Sequence, residues 1–321
     1  ELARLRLPPA RDVKDLARAG TGSWSTPELP HRCNQTFVER VLRRHAEQYP
    51  GNTLRYGWHL ESFSESGAGV TAVAVESASG APMEVSCRFL VGCDGARSAV
   101  RSALGIALDG ETDPDRPYAS GRMCAIHLRS PAFYRRMKAD RAWMYWSFNR
   151  DVRGLLAAVD GVDTFLFHVP VRDDARFVDG LGPAAMQRLA QEKFNLAFGA
   201  ECPIEVISAG FWHAGYSLVA DSFGRGRVWM AGDAVHLFTP HGGLGYNTAV
   251  DDVANLGWKL AAVIKGYGGA GLLPSYDSER RPAGIRNTGI AKQFADAFGS
   301  YVPSARLEEN SGTGARERAA A

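Results

Sequence analysis

One stretch constrains this 321-residue sequence more than any other. Arg227-Val-Trp-Met-Ala231 reads as a short buried strand closed by Gly232-Asp233, and Thr239-Pro-His-Gly-Gly-Leu-Gly-Tyr246 then leads into a helix expected from about Asn247 to Lys265. The strand delivers an acid at its carboxyl end, and the loop glycines let backbone approach a ligand without a Cβ in the way. The loop ends at helix amides that lack partners, where the positive end of the dipole favours negative charge. A tight strand-to-helix connection with an acidic cap accounts for the same residues, so both readings stand. In the helix, Val250, Val253, Ala254, Gly257, Leu260, Ala261 and Ile264 form one apolar face, expected to be core. Asp251 and Asp252 in its first turn and Lys265 in its last suit the dipole, and Gly266 stops it.

Leu90-Val-Gly-Cys-Asp94-Gly95-Ala-Arg97-Ser-Ala-Val-Arg101 follows a similar logic: a strand ends in Asp-Gly and a short basic helix starts. Taken alone it is a type I turn with Asp94 capping that helix, and other Asp-Gly pairs begin at Asp109, Asp160 and Asp179. Upstream, Pro8-Pro9, Gly20 to Gly22 and Pro27 to Pro30 mark a loop-rich entry. A helix from about Thr36 carries Val38, Val41, Leu42 and His45 on one face. Three strand-like runs, Thr53–Phe63, Gly69–Glu76 and Met83–Val91, read as an antiparallel meander whose last strand feeds into Gly92-Cys-Asp-Gly95.

Thr112-Asp-Pro-Asp-Arg-Pro117 is a breaker-rich linker. Beyond it Trp143, Tyr145, Trp146, Phe148, Phe165, Phe167, Phe211 and Trp212 lie in strand-like runs interrupted by a helix around Ala184–Leu196. This pattern reads as a second, sheet-based domain inserted into the first. Its aromatic cluster is first of all a hydrophobic core and second a pocket for a flat substrate. A further helix follows Pro274, and the last dozen residues are small, polar and expected to fray.

Several function classes drop out. With 37 Lys+Arg against 35 Asp+Glu, a formal charge of +2 gives no electrostatic case for nucleic acid or an anionic membrane. No apolar run approaches the roughly 20 residues of a bilayer span, and the first residues lack the order of a secretory signal. Five cysteines, odd in number and never spaced C-x-x-C, argue against a disulfide framework or zinc knuckle and fit a reducing, cytoplasmic compartment. No Ser/His/Asp triad context, H-E-x-x-H or other metal site stands out.

Together the two acid-glycine segments resemble the second and third signatures of the FAD-dependent aromatic hydroxylases, the para-hydroxybenzoate hydroxylase-like single-component flavoprotein monooxygenases. The resemblance runs from Arg32 to Arg281, with Ala220-Asp-Ser-Phe before the strand and Tyr276-Asp-Ser-Glu-Arg-Arg-Pro282 after the long helix. Within that family the sequence is most similar to hydroxylases of phenols and polycyclic natural products. The resemblance implies an α/β fold: a flavin domain from 1–110 and 215–300, an inserted, mainly β-sheet substrate domain over 111–214, and a disordered tail over 301–321. It matches Asp233 to an aspartate on the ribityl hydroxyls of FAD, with Gly232 giving clearance. Pro240 and Gly243 to Gly245 match the loop beside the isoalloxazine, and the amides of Tyr246 and Asn247 match those facing the pyrimidine oxygen. Asp94 and Gly95 match an acid-glycine pair near the pyrophosphate, and Gln35 a glutamine that touches the flavin.

The implied activity is hydroxylation of an aromatic, phenolic or polycyclic substrate with O2 and NADPH or NADH, through a flavin C4a-hydroperoxide. The family shares no side-chain base, so no catalytic residue is named, and the oligomeric state stays open. One departure is the absence of the family's opening strand, G-x-G-x-x-G and helix. The literal match Gly266-Tyr-Gly-Gly-Ala-Gly271 follows a helix and reads as a C-cap and linker, so the N-terminal part of the flavin domain is expected to be missing. A flavin oxidoreductase without oxygen insertion and a truncated, catalytically silent fragment are the alternatives. His236 and His241 flank the loop and read as local hydrogen-bonding groups before substrate contacts. His213 and Tyr216 fit core packing and substrate contact equally.

Overall fold

Helix α1 (Ala10–Arg18) precedes α2 (Gln35–Glu47), whose start is capped by the Asn34 side chain accepting the Thr36 N–H. The computed structural model describes residues 2–5, 10–19, 32–112, 121–137, 139–149, 151–171, 174–199, 202–300 and 302–320. The loop-rich entry from Gly20 to Pro30 and at Pro8-Pro9, and all of the breaker-rich linker except Thr112, lie outside them. The apolar face expected on α2 exists but is not core: Val41 is 64% and Leu42 54% exposed, and the helix buries no residue.

The meander forms as an antiparallel sheet, β1 (Trp58–Glu65), β2 (Val70–Glu76) and β3 (Pro82–Cys87), paired in that order. The run expected as one strand over Met83–Val91 is two. Pairing with β2 ends at Cys87, and β4 (Leu90–Gly92) belongs to another sheet. No glycine or proline marks this change of sheet, so the alternation reads straight through it. After β4, Ser98 Oγ accepts the Arg101 N–H to cap α3 (Ala99–Ala103), and β5 (Leu108–Thr112) follows.

A five-stranded antiparallel sheet is built wholly within Gly121–Ala214. Its strands are β6 (Gly121–Arg129), β7 (Met144–Phe148), β8 (Arg153–Ala158), β9 (Thr164–Pro170) and β10 (Glu205–Ala214), in the order β10-β6-β9-β8-β7. Strand parity sends Ile126, Leu128, Phe165, Phe167 and Val169 to one face. There they form a core with Phe133 of the short α4 (Phe133–Arg136) and with Leu189, Ala190 and Phe194 of α5 (Pro183–Phe198).

Strand β5 pairs with β11 (Tyr216–Ala220), so the two segments flanking that sheet lie side by side. Gly110 sits in this pairing at φ +133°, and a Cβ there would collide with the Ser217 carbonyl oxygen. Gly110→Ala is therefore expected to cost more than about 2 kcal/mol, a lower urea midpoint at unchanged slope. A loss below about 0.5 kcal/mol, the ordinary surface range, would contradict the register.

Next come β12 (Gly224–Arg225), β13 (Val228–Met230) and β14 (His236–Leu237). β14 extends the β5–β11 pair, while β13 lies between β12 and β4. Helices α6 (Leu244–Ile264) and α7 (Pro274–Ser300) pack on each other, and α7 also packs on β11. Most of the expected apolar face of α6 points outward, with Val250 44% and Val253 46% exposed, while Leu260 packs against the core. The buried stripe is Thr248, Asp252, Leu256, Lys259 and Ala262. Pairing reverses the face. Lys259 donates to Ser275 Oγ at 2.7 Å and meets Glu279 at 2.8 Å, and Asp252 is likewise compensated, which is what lets charges go inside.

The tail is not without structure over its described residues. Ser311 Oγ accepts the Gly314 N–H to cap α8 (Gly312–Ala320), whose later residues, Ala315-Arg-Glu-Arg-Ala-Ala320, are good helix formers. Arg318 donates to the carbonyls of Leu307 and Glu309, and Leu307 is buried. Among the described residues no helix is long and apolar enough to cross a membrane.

Candidate functional site

Strands β4 and β13 run parallel, with Leu90 opposite Val228 and Gly92 opposite Met230, so their carboxyl ends finish side by side. The Ala231 N–H donates to the Gly92 carbonyl at 3.1 Å and carries the pairing to the last residue. Both acid-glycine segments follow at this edge, where open parallel sheets bind ligands. Arg101, buried on α3, locks them together: Nη1 donates to the Ala234 carbonyl at 2.8 Å and Nη2 to the Ala96 carbonyl at 2.9 Å.

Asp94 Oδ2 accepts the Val100 N–H at 3.1 Å, so the capping role expected of it is real. Gly95 has φ +79° and open space where a Cβ would stand. Gly232 is buried at φ +64°, and its Cβ would come within 3.2 Å of the Ala249 side chain on α6. It opens a single 3-10 turn, Gly232–Ala234, that turns Asp233 outward to solvent. The surrounding protein nevertheless desolvates the Asp233 carboxyl and raises its pKa, with His236 opposing the shift. Among the described residues no cation pairs with it.

Pro240, at φ −69°, starts a second 3-10 turn, His241–Gly243. Gly242 at φ +78° and Gly243 at φ +64° are left-handed, and α6 begins at Leu244 with no side-chain cap. Helix geometry leaves the N–H groups of Leu244, Gly245 and Tyr246 without helical acceptors. The helix thus starts three residues before the expected Asn247. That places Tyr246 in the free first turn and the Asn247 N–H just beyond it, while the Asn247 side chain donates to the Gly243 carbonyl at 2.7 Å. Thr239 Oγ1, buried just before Pro240, has no hydrogen-bond partner. A glycine-rich turn, uncapped amides and an unpaired acid suit a flat ligand with an electron-rich edge, as an isoalloxazine has.

Gln35 stands apart. It opens α2, its Nε2 donates to Glu39 Oε1 at 2.5 Å, and among the described residues α2 makes no extensive contact with another element.

Behind the turn lies a buried charged cluster that hydrophobic periodicity did not reveal. Asp252 Oδ2 accepts from His236 Nε2 at 2.6 Å and from the Gly232 N–H at 3.3 Å, and Oδ1 accepts from Arg280 Nε at 2.9 Å. The available sign was an acid recurring with Thr248, Leu256 and Lys259 at helical spacing.

The second face of the five-stranded sheet is half open. It carries His127, Leu166, His168 and Trp212, alternating with core residues. His127 Nε2, His168 Nδ1 and Trp212 Nε1 are enclosed without hydrogen-bond partners, and a Cβ on Gly210 would meet nothing. Phe298 of α7 stacks on Trp146 at 5.5 Å and lies 5.7 Å from the His241 ring, joining this face to the glycine turn. The core reading of the aromatic cluster holds for the first face, while Trp146 and Trp212 lie on the second. His213 is exposed and Tyr216 half-buried in β11.

Burial pushes the His168 imidazole down to about 4. Since the unfolded value is about 6.5, the folded chain binds fewer protons between these values. Its contribution to stability is complete above about 6.5 and is lost as pH falls toward 4. An NMR titration should keep His168 neutral to near pH 4, and a midpoint above 6 would contradict the enclosure.

Comparison with known proteins follows the same lines. A family model described as an FAD binding domain matches residues 11–290. A putative polyketide hydroxylase of Streptomyces halstedii is 35% identical over 281 residues, 86% of this chain and 47% of that protein. The solved structure of native and K252c-bound RebC-10x superposes with a TM-score of 0.75 at 31% identity, covering 94% of this chain and 54% of the other. The flavin-dependent monooxygenase PieE, solved with FAD and substrate, gives a TM-score of 0.74 at 26% identity, covering 95% and 54%. The chain spans about half the length of the curated relatives it matches.

Proposed function

The chain belongs to the FAD-dependent aromatic hydroxylases of the FAD binding domain family, and from that premise we propose that it holds FAD at the β4–β13 edge and hydroxylates an electron-rich aromatic ring, phenolic or polycyclic, using O2 and NADPH or NADH. The observation that carries this reading is the turn from Pro240 to Tyr246, where left-handed glycines leave uncapped amides of α6 beside an outward-facing acid.

Asp233 would accept hydrogen bonds from ribityl hydroxyls, with Gly232 keeping the approach clear of a Cβ. Asp94, held by the Val100 N–H, and Gly95 would line the pyrophosphate side. The first-turn amides, Tyr246 among them, would face the pyrimidine edge, where their dipole offsets negative charge. Pro240, Gly243 and Gly245 would lie along the ring, with Asn247 bracing the turn, and Gln35 would reach the flavin from α2 only on leaving Glu39. When bound, FAD supplies the electron transfer from NAD(P)H and the activation of O2 that these side chains cannot. The half-open sheet face would take the substrate: Trp212 and Trp146 offer flat apolar surface, and the unpartnered nitrogens of His127 and His168 await polar ring substituents. The segments 1–110 and 215–300 would serve the flavin and 111–214 the substrate, in a cytoplasmic setting.

The test is incubation of the purified chain with FAD, NAD(P)H and a panel of phenols and polycyclic aromatics under isotopically labelled O2. Labelled hydroxylated product is expected. Bound FAD with unlabelled product would move the reading to an oxidoreductase without oxygen insertion, and no bound FAD would overturn it.

A further inference from the structure

The carboxylate of Asp252 is completely buried, about two turns into α6, yet it belongs to none of the ligand-facing loops. Three donors from three elements converge on it: the Gly232 N–H at the end of β13, His236 Nε2 on β14 and Arg280 Nε on α7. Arg280 also reaches Asp251 at 3.6 Å and the Thr248 carbonyl at 3.5 Å, which keeps the guanidinium seated over the first turns of α6. His236 is itself fully buried between Phe223 and Phe238, and its Nδ1 faces no partner. The tautomer with its proton on Nε2 therefore fits best, spending its one donor on Asp252.

A burial this costly is stable only because every donor is aimed at the same group. Its geometric consequence falls on Gly232. That residue sits at φ +64° with Ala249 of α6 close behind it, and the bond to Asp252 anchors its amide. Asp233 follows directly and is exposed to solvent. We propose that Asp252 is the positioning residue of the flavin site: from behind, it clamps the Ala231–Gly232 peptide, the one immediately before Asp233, and so aims the Asp233 carboxylate, with His236 and Arg280 as its supports. The inference rests on the flavin reading above for its ligand, but not for the clamp itself.

Two measurements separate these. In the Asp252→Asn variant of the full chain, one hydrogen-bond acceptor is replaced by an NH2 that faces other donors. Amide hydrogen exchange over residues 231–236 should then accelerate tenfold or more. The comparison variant is Lys259→Met, which breaks the other polar cluster of the same helix and reports any general loss of stability. It should leave exchange at 231–236 within twofold of the parent. If Asp252→Asn does not fold, Arg280→Met, which strips one donor and leaves the carboxylate in place, is expected to give the same local acceleration. Exchange that is unchanged in the Asp252 or Arg280 variant, or equally raised by Lys259→Met, overturns the clamp. The second measurement is FAD affinity by quenching of flavin fluorescence, expected to weaken tenfold or more in Asp252→Asn and within twofold of the parent in Lys259→Met. Faster exchange with unaltered FAD affinity overturns the link to the flavin. A parent chain that takes up no FAD overturns the flavin reading alone, and exchange still decides the clamp.

Discussion

Replacing Asp233 by alanine lowers the affinity of the chain for FAD by roughly ten- to a hundredfold, the equivalent of losing hydrogen bonds to a charged group worth about 1.5–3 kcal/mol. The size follows from where the carboxylate stands. It leaves the carboxyl end of β13 on a single turn of 3-10 helix, and no described cation neutralises it. The protein desolvates it without satisfying it, which is why its pKa is raised. A group held in that condition is available to a ligand with hydroxyls to donate. The same fact fixes the sign of the effect on the free protein. Since the charge is unfavourably placed in the absence of a ligand, Asp233→Ala should melt no lower than the parent. Asp233→Asn keeps an acceptor and should lose less affinity than the alanine variant. Calorimetric titration with FAD and a thermal melt on each variant are the required measurements. Equal FAD affinity in parent and alanine variant would remove Asp233 from the site.

The largest effect on stability is expected at Phe133. Its side chain is fully buried and its ring lies within 5.0–5.8 Å of the rings of Tyr134, Tyr145, Phe165, Phe194 and Phe198. Four of these contacts are edge-on, with Tyr145, Phe165, Phe194 and Phe198, and they tie the sheet to α5 through one side chain. Truncation to alanine removes all of them and leaves a cavity walled by rigid rings. The expected cost is about 3–5 kcal/mol, read from urea denaturation. Phe133 belongs to the core beneath the five-stranded sheet, separate from the core around Trp229, Met230 and Tyr276 that backs the glycine turn. Chains that remain folded should therefore bind FAD as the parent does. A cost near 1 kcal/mol would mean that the surrounding rings collapse into the space.

What was legible in the sequence was local. Gly232-Asp233, the glycine turn and the helix after it are visible because each depends on residues adjacent in the chain. The long helix α6 and the period-two runs of the second sheet were equally open to reading. Long-range pairing was not. The division of Met83–Val91 between two sheets depends on Arg227, whose carbonyl accepts the Leu90 N–H at 2.9 Å across the fold. The burial of Asp252 and Lys259 depends on Arg280, His236, Ser275 and Glu279, and without those partners the apolar stripe through Val250 and Val253 is the sensible core. Arg101 was likewise invisible as a strut, because its acceptors are two main-chain carbonyls, one of them 133 residues away. The aromatic cluster could not be apportioned from composition. Strand parity decides it, sending Phe165 and Phe167 inward and His168 to the face shared with Trp212.

A structure of the chain with FAD bound tests the central claim most directly. The pyrimidine edge of the isoalloxazine is expected within hydrogen-bond distance of the free amides between Leu244 and Tyr246, with the ribityl hydroxyls on Asp233. Flavin bound elsewhere, with those first-turn amides still facing solvent, would contradict it.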